Sequence, residues 1–216
     1  LTTTEAGGTA TFTMRLTAQP AANVTITLTS SNTAEGTVDP TSVTFTSANW
    51  NTNQTVTVTG VDDQVDDGDV VYTIVTSNTS STDPVFNNIA VADVTVTNTN
   101  NDVAGIVVNP TSGLTTTEAG GQATFTIRLN SQPLSNVTVG LSSSNTAEGT
   151  VSPTSVTFTP ANWNSPQTIT ITGVDDDIDD GNINYTIITA PATSTDTKYN
   201  NLNPADVSVV NINNDN

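Results

Sequence analysis

Apolar and polar residues alternate strictly along several short stretches of the chain. These stretches cover 9–16, 23–29, 42–46, 54–60, 70–75 and 93–98. Val, Ile, Phe and Thr dominate them, and a period of two in such residues predicts half-buried β-strands. Gly, Pro, Asn and Asp separate the stretches, as they do in turns and loops. No helical period of useful length is visible, so an all-β fold is expected.

The whole pattern occurs twice. LTTTEAGGTATFTMRL at 1–16 returns as LTTTEAGGQATFTIRL at 114–129, and the offset of 113 residues holds to the end without a gap. About two-thirds of the aligned positions are identical, which marks duplication of a structural unit. About seven short strands in each copy are typical of an immunoglobulin-like β-sandwich. We therefore expect two tandem sandwich repeats, at 1–102 and 103–216.

The two copies differ at their beginnings. The apolar β-type run AGIVVNPTSG at 104–113 precedes the second copy, and no such run precedes the first. We therefore expect the repeat at 1–102 to lack its first strand. The chain is also expected to come from a longer series of such repeats.

The composition narrows the possible partners. The chain has 21 acidic and three basic residues, a formal charge of −18, and neither Cys nor His. Such acidity disfavours nucleic acid and anionic membranes, which require Lys and Arg, and favours cations. No apolar run approaches the ~18 residues of a membrane span. No enzyme is expected, because no His, Cys or Lys occupies a repeated position and no Ser has a visible base partner.

The acids are concentrated in a few segments. If the strands run alternately up and down, the first turn, two loops and the end of the last strand share one pole. In the first copy these segments carry Glu5, Glu35, Asp39, Asp62, Asp63, Asp66, Asp67, Asp69 and Asp102; in the second they carry Glu118, Glu148, Asp175, Asp176, Asp177, Asp179, Asp180 and Asp215.

Such crowding requires a compensating ion. At ~5 Å and an effective dielectric constant of ~20, each pair of carboxylates repels by roughly 3 kcal/mol. Ca²⁺ accepts six to eight oxygen ligands in flexible geometry, whereas zinc prefers the His and Cys that this chain lacks. The alternative is adaptation to salt, which would scatter acids over all faces.

Three motifs occur in order: TTEAGGTATFTMRL, then GVDDQVDDGD followed by VVYTI, and finally the closing VTVTNTNND. Together they resemble the Calx-β domain family, and the resemblance covers essentially the whole chain, once in each copy. The resemblance implies a calcium-binding sandwich. Its ligands would come from Glu5, Glu35, Asp62, Asp63, Asp66 or Asp67, and the triplet Asn100, Asn101 and Asp102; in the second copy they would come from Glu118, Glu148, Asp175, Asp176, Asp179 or Asp180, and the triplet Asn213, Asn214 and Asp215. Two Asn replace two Asp of the family's triplet, which predicts fewer or weaker sites.

These observations favour an extracellular structural repeat of a bacterial surface adhesin or fibre. Ca²⁺ would stiffen it at each acidic pole and at the junction with a neighbouring repeat. Two alternatives remain open. Trp50 and Trp163, both in ANWN motifs, would stack on sugars in a glycan-binding module, or else cover the end of the sandwich. A filament subunit would instead assemble with identical subunits by strand complementation, through the edge left by the absent first strand.

Overall fold

The computed structural model describes residues 1–215, which form two compact units. The first unit comprises 1–63 and 67–101, and the second comprises 64–66 and 102–216. All regular structure in the described residues is β-strand, which confirms the predicted all-β sandwich class. None of these residues forms a helix long and apolar enough to cross a membrane.

Two sheets form the first copy. One contains β1, β9, β7, β3 and β5 in that order, with the short β8 paired to β3, and the other contains β2, β6 and β4. β1 runs parallel to β9, and the other pairs are antiparallel. The strands are β1 (Thr2–Thr4), β2 (Thr9–Met14), β3 (Val24–Ser30), β4 (Gly36–Asp39), β5 (Ser42–Phe45), β6 (Gln54–Gly60), β7 (Val70–Thr76), β8 (Ser80–Ser81) and β9 (Val94–Thr99).

The second copy repeats this arrangement with one added strand. One sheet has the order β11, β18, β17, β13 and β15, and the other has the order β10, β12, β16 and β14. The strands are β10 (Ile106–Asn109), β11 (Leu114–Thr117), β12 (Gln122–Leu129), β13 (Val137–Ser143), β14 (Gly149–Ser152), β15 (Ser155–Phe158), β16 (Gln167–Gly173), β17 (Ile183–Thr189) and β18 (Val207–Ile212). The run at 104–113 thus contributes a strand that has no counterpart within the described first copy.

The alternation of the sequence becomes the two faces of each sheet. In β3, Val24, Ile26 and Leu28 are buried, whereas Thr27 and Thr29 are exposed. Tyr72 and Tyr185 occupy buried core positions. Because successive side chains of a strand point to opposite faces, the Thr-rich positions lie on the solvent side.

β4 and its counterpart β14 were not expected from the pattern. Each is four residues long and begins at a glycine, so it offers too few alternating positions to stand out. The structure shows why glycine is there. A Cβ at Gly36 or Gly149 would overlap the phenol of Tyr72 or Tyr185 respectively, so the tyrosine ring lies directly against the strand backbone.

This close approach predicts that Gly149→Ala destabilises the second unit by about 1–3 kcal/mol, the usual range for overpacking a core. Gly140→Ala in β13 is the matched control, because its Cβ would meet only the Ala190 Cβ at an ordinary 3.5 Å. The control is expected to be neutral or slightly stabilising. Urea unfolding of Trp50→Phe variants measures both, because Trp163 is then the only tryptophan and can be excited selectively at a wavelength that tyrosine does not absorb. Equal losses in the two variants would contradict the packing argument.

Candidate metal centre

Four segments of the first copy meet at one end of the sandwich. They are the β1–β2 turn, the loop before β4, the β6–β7 loop and the chain after β9. Backbone bonds connect them: Val61 N–H donates to the Glu35 carbonyl at 3.0 Å, and Gly60 N–H to the Gly8 carbonyl at 3.0 Å. Asn101 N–H donates to Glu5 Oε2 at 2.8 Å. Acids far apart in sequence are thereby brought together.

The second copy has the same connections. Val174 N–H donates to the Glu148 carbonyl at 3.0 Å, and Asn214 N–H donates to Glu118 Oε2 at 2.8 Å. Each of these residues lies 113 positions after its counterpart. The arrangement is therefore a property of the repeat and not of one local sequence.

A three-carboxylate cluster lies at this end of each copy. Glu35, Asp63 and Asp67 place one oxygen each within 4.8 Å of one another, and Glu148, Asp176 and Asp180 do the same. The glutamate is buried, the first aspartate is half-buried and the second is exposed. Oxygen ligands 2.3–2.6 Å from a common Ca²⁺ have spacings of this size, so the cluster fits a calcium ion approached from solvent.

A second glutamate is buried beside each cluster. Glu5 is 1% exposed and Glu118 is 2% exposed, so both carboxylates are largely removed from water. The hydrogen bond from the Asn214 N–H lowers the pKa of Glu118. Desolvation and the charges of Asp176, Asp215 and Asp180 act in the opposite direction and outweigh it, so the pKa of Glu118 is raised. A buried carboxylate is costly unless it is paired or bound to a metal.

Asp215 carries a buried oxygen without a partner. Within residues 1–215, its Oδ2 accepts no hydrogen bond. Desolvation raises the pKa of Asp215, and the charges of Asp175, Asp177, Asp176 and Asp179 raise it further. An orphaned carboxylate oxygen beside other acids is the situation that a bound cation relieves.

Asn98 and Asn211 were missed by the sequence analysis. The Asn211 Nδ2 group donates to Glu148 Oε2 at 3.2 Å and to the Val174 carbonyl at 3.1 Å, and the Asn211 Oδ1 accepts from Thr116 at 2.9 Å. Asn98 makes the equivalent bonds to Glu35, Val61 and Thr3. The sequence did carry a signal for these two residues. In both copies an asparagine occupies an inward position of the last strand, where the alternation would otherwise place another valine.

Asparagines that follow the last strand of each copy donate hydrogen bonds to acids. Asn101 Nδ2 donates to Asp62 at 3.1 Å, Asn214 Nδ2 to Asp175 at 3.2 Å, and Asn213 Nδ2 to Asp179 at 3.1 Å. Asn100 and Asp102 are half-buried in the same segment. The structure thus directs Asp62, Asp175 and Asp179 toward amides, outside the three-carboxylate clusters.

Asp66 is not one of the three clustered carboxylates. It belongs to the second unit, where the Lys198 ammonium pairs with Oδ1 at 2.5 Å and Ala104 N–H donates to Oδ2 at 2.9 Å. Of the two neighbouring candidates, it is Asp67 that joins Glu35.

Both tryptophans lie at the loop before β6 or β16. The backbone carbonyls of Trp50 and Trp163 accept hydrogen bonds from Leu16 and Leu129 at 2.8 and 2.9 Å. The Trp163 side chain is partly buried against the core. Its ring therefore covers apolar residues of the sandwich.

No family model matches the chain, and no curated protein matches it. Among solved structures, it is similar to CBD12 from CALX1.2, with 14% identity and a TM-score of 0.42 over 96% of this chain and 95% of that one. It is also similar to the calcium binding domain CBD12 of CALX1.1, with 17% identity and a TM-score of 0.42 over 88% and 77%. Domains 4 and 5 of the S-layer protein SbsC follow at 18% identity and a TM-score of 0.36, over 87% and 75%. Identities this low assign no family to the chain.

The raised pKa values of Glu118 and Asp215 contribute to the pH dependence of the second unit in the absence of a metal ion. Each of these two carboxyl groups keeps its proton to a higher pH in the folded unit than in the unfolded chain, where the ordinary pKa values are 4.5 and 3.8. The stabilisation that comes from this proton binding is therefore lost as pH rises through the folded pKa values. We expect the melting temperature in the absence of a metal ion to fall as pH rises through the folded pKa values of these two groups. Excess Ca²⁺ should oppose this trend, because protons compete for the same carboxylates.

Thermal melts of the Trp50→Phe chain, followed through Trp163, measure this dependence. Glu118→Gln serves as the control, since an amide cannot titrate and should flatten the calcium-free profile. A metal-free melting temperature that rises with pH from just above the ordinary values of 4.5 and 3.8 would contradict the raised pKa values.

Proposed function

We propose that the chain is a pair of non-catalytic structural repeats of an extracellular surface protein or fibre, and that each sandwich binds Ca²⁺ at its acidic pole. The observation that carries the proposal is the three-carboxylate cluster, which recurs with the same residues at the same offset in both copies. Acids that only solvated the surface would have no reason to converge from separate loops onto one buried glutamate.

Calcium suits this site for chemical reasons. The available ligands are carboxylate and amide oxygens, which hard cations prefer, and the described residues include no His or Cys. Two of the three acids come from one long loop, whose backbone adapts to the variable geometry that Ca²⁺ accepts. Mg²⁺ demands a more rigid octahedron.

The buried glutamates and Asp215 strengthen the argument. Glu118 and the Oδ2 atom of Asp215 are removed from water while their neighbours are acidic. A divalent ion offsets both the desolvation and the repulsion, as a hydrogen bond from a neutral group does only in part.

The asparagines favour a small number of ions in each unit. In a triplet of aspartates, every side chain would contribute charge to the pole. Here the side-chain amides of Asn101 and Asn214 add no charge, and they already donate hydrogen bonds to Asp62 and Asp175. We propose one principal ion in each unit, with an affinity near the ~10⁻⁴–10⁻³ M of extracellular calcium modules.

The expected result is a stability gain that depends on calcium. At 100 times the dissociation constant, a ligand stabilises the folded state by about 2.7 kcal/mol, which raises the melting temperature of a domain of this size by roughly 10 °C or more. Calorimetric titration of the full chain should give about two ions. Glu35→Gln with Asp67→Asn should remove only the ion of the first unit.

Asp39→Asn is the matched control for charge. Asp39 is exposed and lies at the opposite end of β4 from Gly36, so its loss should leave calcium binding unchanged. Binding that survives the double variant, or that falls equally in the control, would refute the site. Separate melts through Trp50 and Trp163 assign each effect to its unit.

We further propose that bound Ca²⁺ stiffens the junction between the repeats. Because the chain has no Cys, spin labels can be placed at Thr95→Cys and Ser208→Cys, which are equivalent exposed strand positions of the two copies. Electron–electron distance measurements should show a broad distribution in chelator and a narrower one in calcium. Identical distributions under both conditions would remove stiffening at the junction of the repeats from the proposal.

A further inference from the structure

The first unit has an apolar groove along the edge of β2. The groove has a volume of about 540 Å³, and its apolar lining includes Phe12, Met14, Leu16, Phe86, Ile89 and Val94. β2 pairs with β6 on one side, and no strand within the described residues pairs with its other edge. A sandwich edge with unpaired backbone and apolar side chains is an unfinished part of a core.

The second unit shows what completes this edge. There β10 runs antiparallel to β12, with Ile106 opposite Leu129 and Val108 opposite Ile127. Gly105 accepts a backbone hydrogen bond from Asn130 at 2.9 Å, which extends the pairing by a residue. Ala104, Ile106 and Val108, at every second position, pack against the core.

The effect of the strand is visible in burial at equivalent positions. Phe125, Ile127 and Leu129 are at most 1% exposed in the second unit. Their counterparts Phe12, Met14 and Leu16 are only half-buried, and Ile89 on the other wall of the groove is 44% exposed. Because the two copies are otherwise alike, the difference follows from the presence or absence of this one strand.

We propose that the groove of the first unit binds the strand-forming segment of another repeat of this type, with the sequence pattern of residues 104–113. The segment would run antiparallel to β2. Its residue equivalent to Ile106 would lie opposite Leu16, and the residue equivalent to Val108 would lie opposite Met14. Backbone pairing supplies affinity and the alternating apolar side chains supply specificity, as in β-strand addition. The groove does not include the calcium cluster, so this inference does not depend on the proposed function.

The direct test adds AGIVVNPTSG immediately before Leu1 in the full chain. A Trp163→Phe background leaves Trp50 as the reporter of the first unit. We expect its melting temperature to rise by about 5–15 °C, in calcium and in chelator alike. Hydrogen exchange at residues 13, 15 and 17, whose N–H groups face the open edge, should slow about tenfold or more because that edge becomes paired.

The matched control is the prefix AGSVSNPTSG, in which Ser replaces the two residues that would enter the groove. It can form the same backbone bonds but buries little apolar surface, so most of the gain in melting temperature should be lost. A gain that is equal for both prefixes, or no change with either, would overturn the proposal.

Two further measurements test the proposed strand-binding groove independently. Ile106→Ser with Val108→Ser should open the equivalent groove of the second unit and speed exchange at residues 126, 128 and 130, whose N–H groups face β10. Unchanged exchange at these residues would count against the comparison of the two units. A synthetic peptide of residues 103–113 should bind the unextended chain with one-to-one stoichiometry and protect the amides of residues 13, 15 and 17. Binding that leaves those amides unprotected would place the peptide elsewhere and contradict the groove.

Discussion

Carboxylates held out of water at the end of each sandwich are the constraint to which the surrounding structure is adapted. Glu5 and Glu35 are buried in the first copy, and Glu118 and Glu148 in the second. Backbone N–H groups and inward amides supply hydrogen bonds to them, and the loops that surround them add more acids. Charge buried in this way needs compensation, and a divalent cation offers it where the chain has few basic residues of its own.

The sandwich provides the rigid frame for that pole. Strands of alternating Thr and apolar residues deliver four segments to one end, and close contact between a glycine and a tyrosine fixes the loop that ends in the buried glutamate. The buried amide at the end of the last strand then joins that glutamate to the loop after β6 or β16. Core packing and the polar site are therefore coupled through a few residues at the ends of the strands.

The duplicated chain contains its own comparison. Both copies keep the same cluster, although about one-third of their aligned positions differ. They differ at the edge of the smaller sheet, where β10 completes one unit and the other has a groove. A strand of another repeat that filled this groove, as we propose, would make stability a property shared between repeats.

The sequence by itself determined the repeat, the strands of strong alternation and the segments that carry acid, because period two and residue identity are local properties of the chain. Only the tertiary structure decided which acids meet. Asp67 joins Glu35 while its neighbour Asp66 binds Lys198, a residue distant in sequence. The roles of Asn98 and Asn211 were decided in the same way, since the partners of a buried amide are fixed by strand register. The direction of a side chain in a loop depends on long-range contacts, and no local pattern records them.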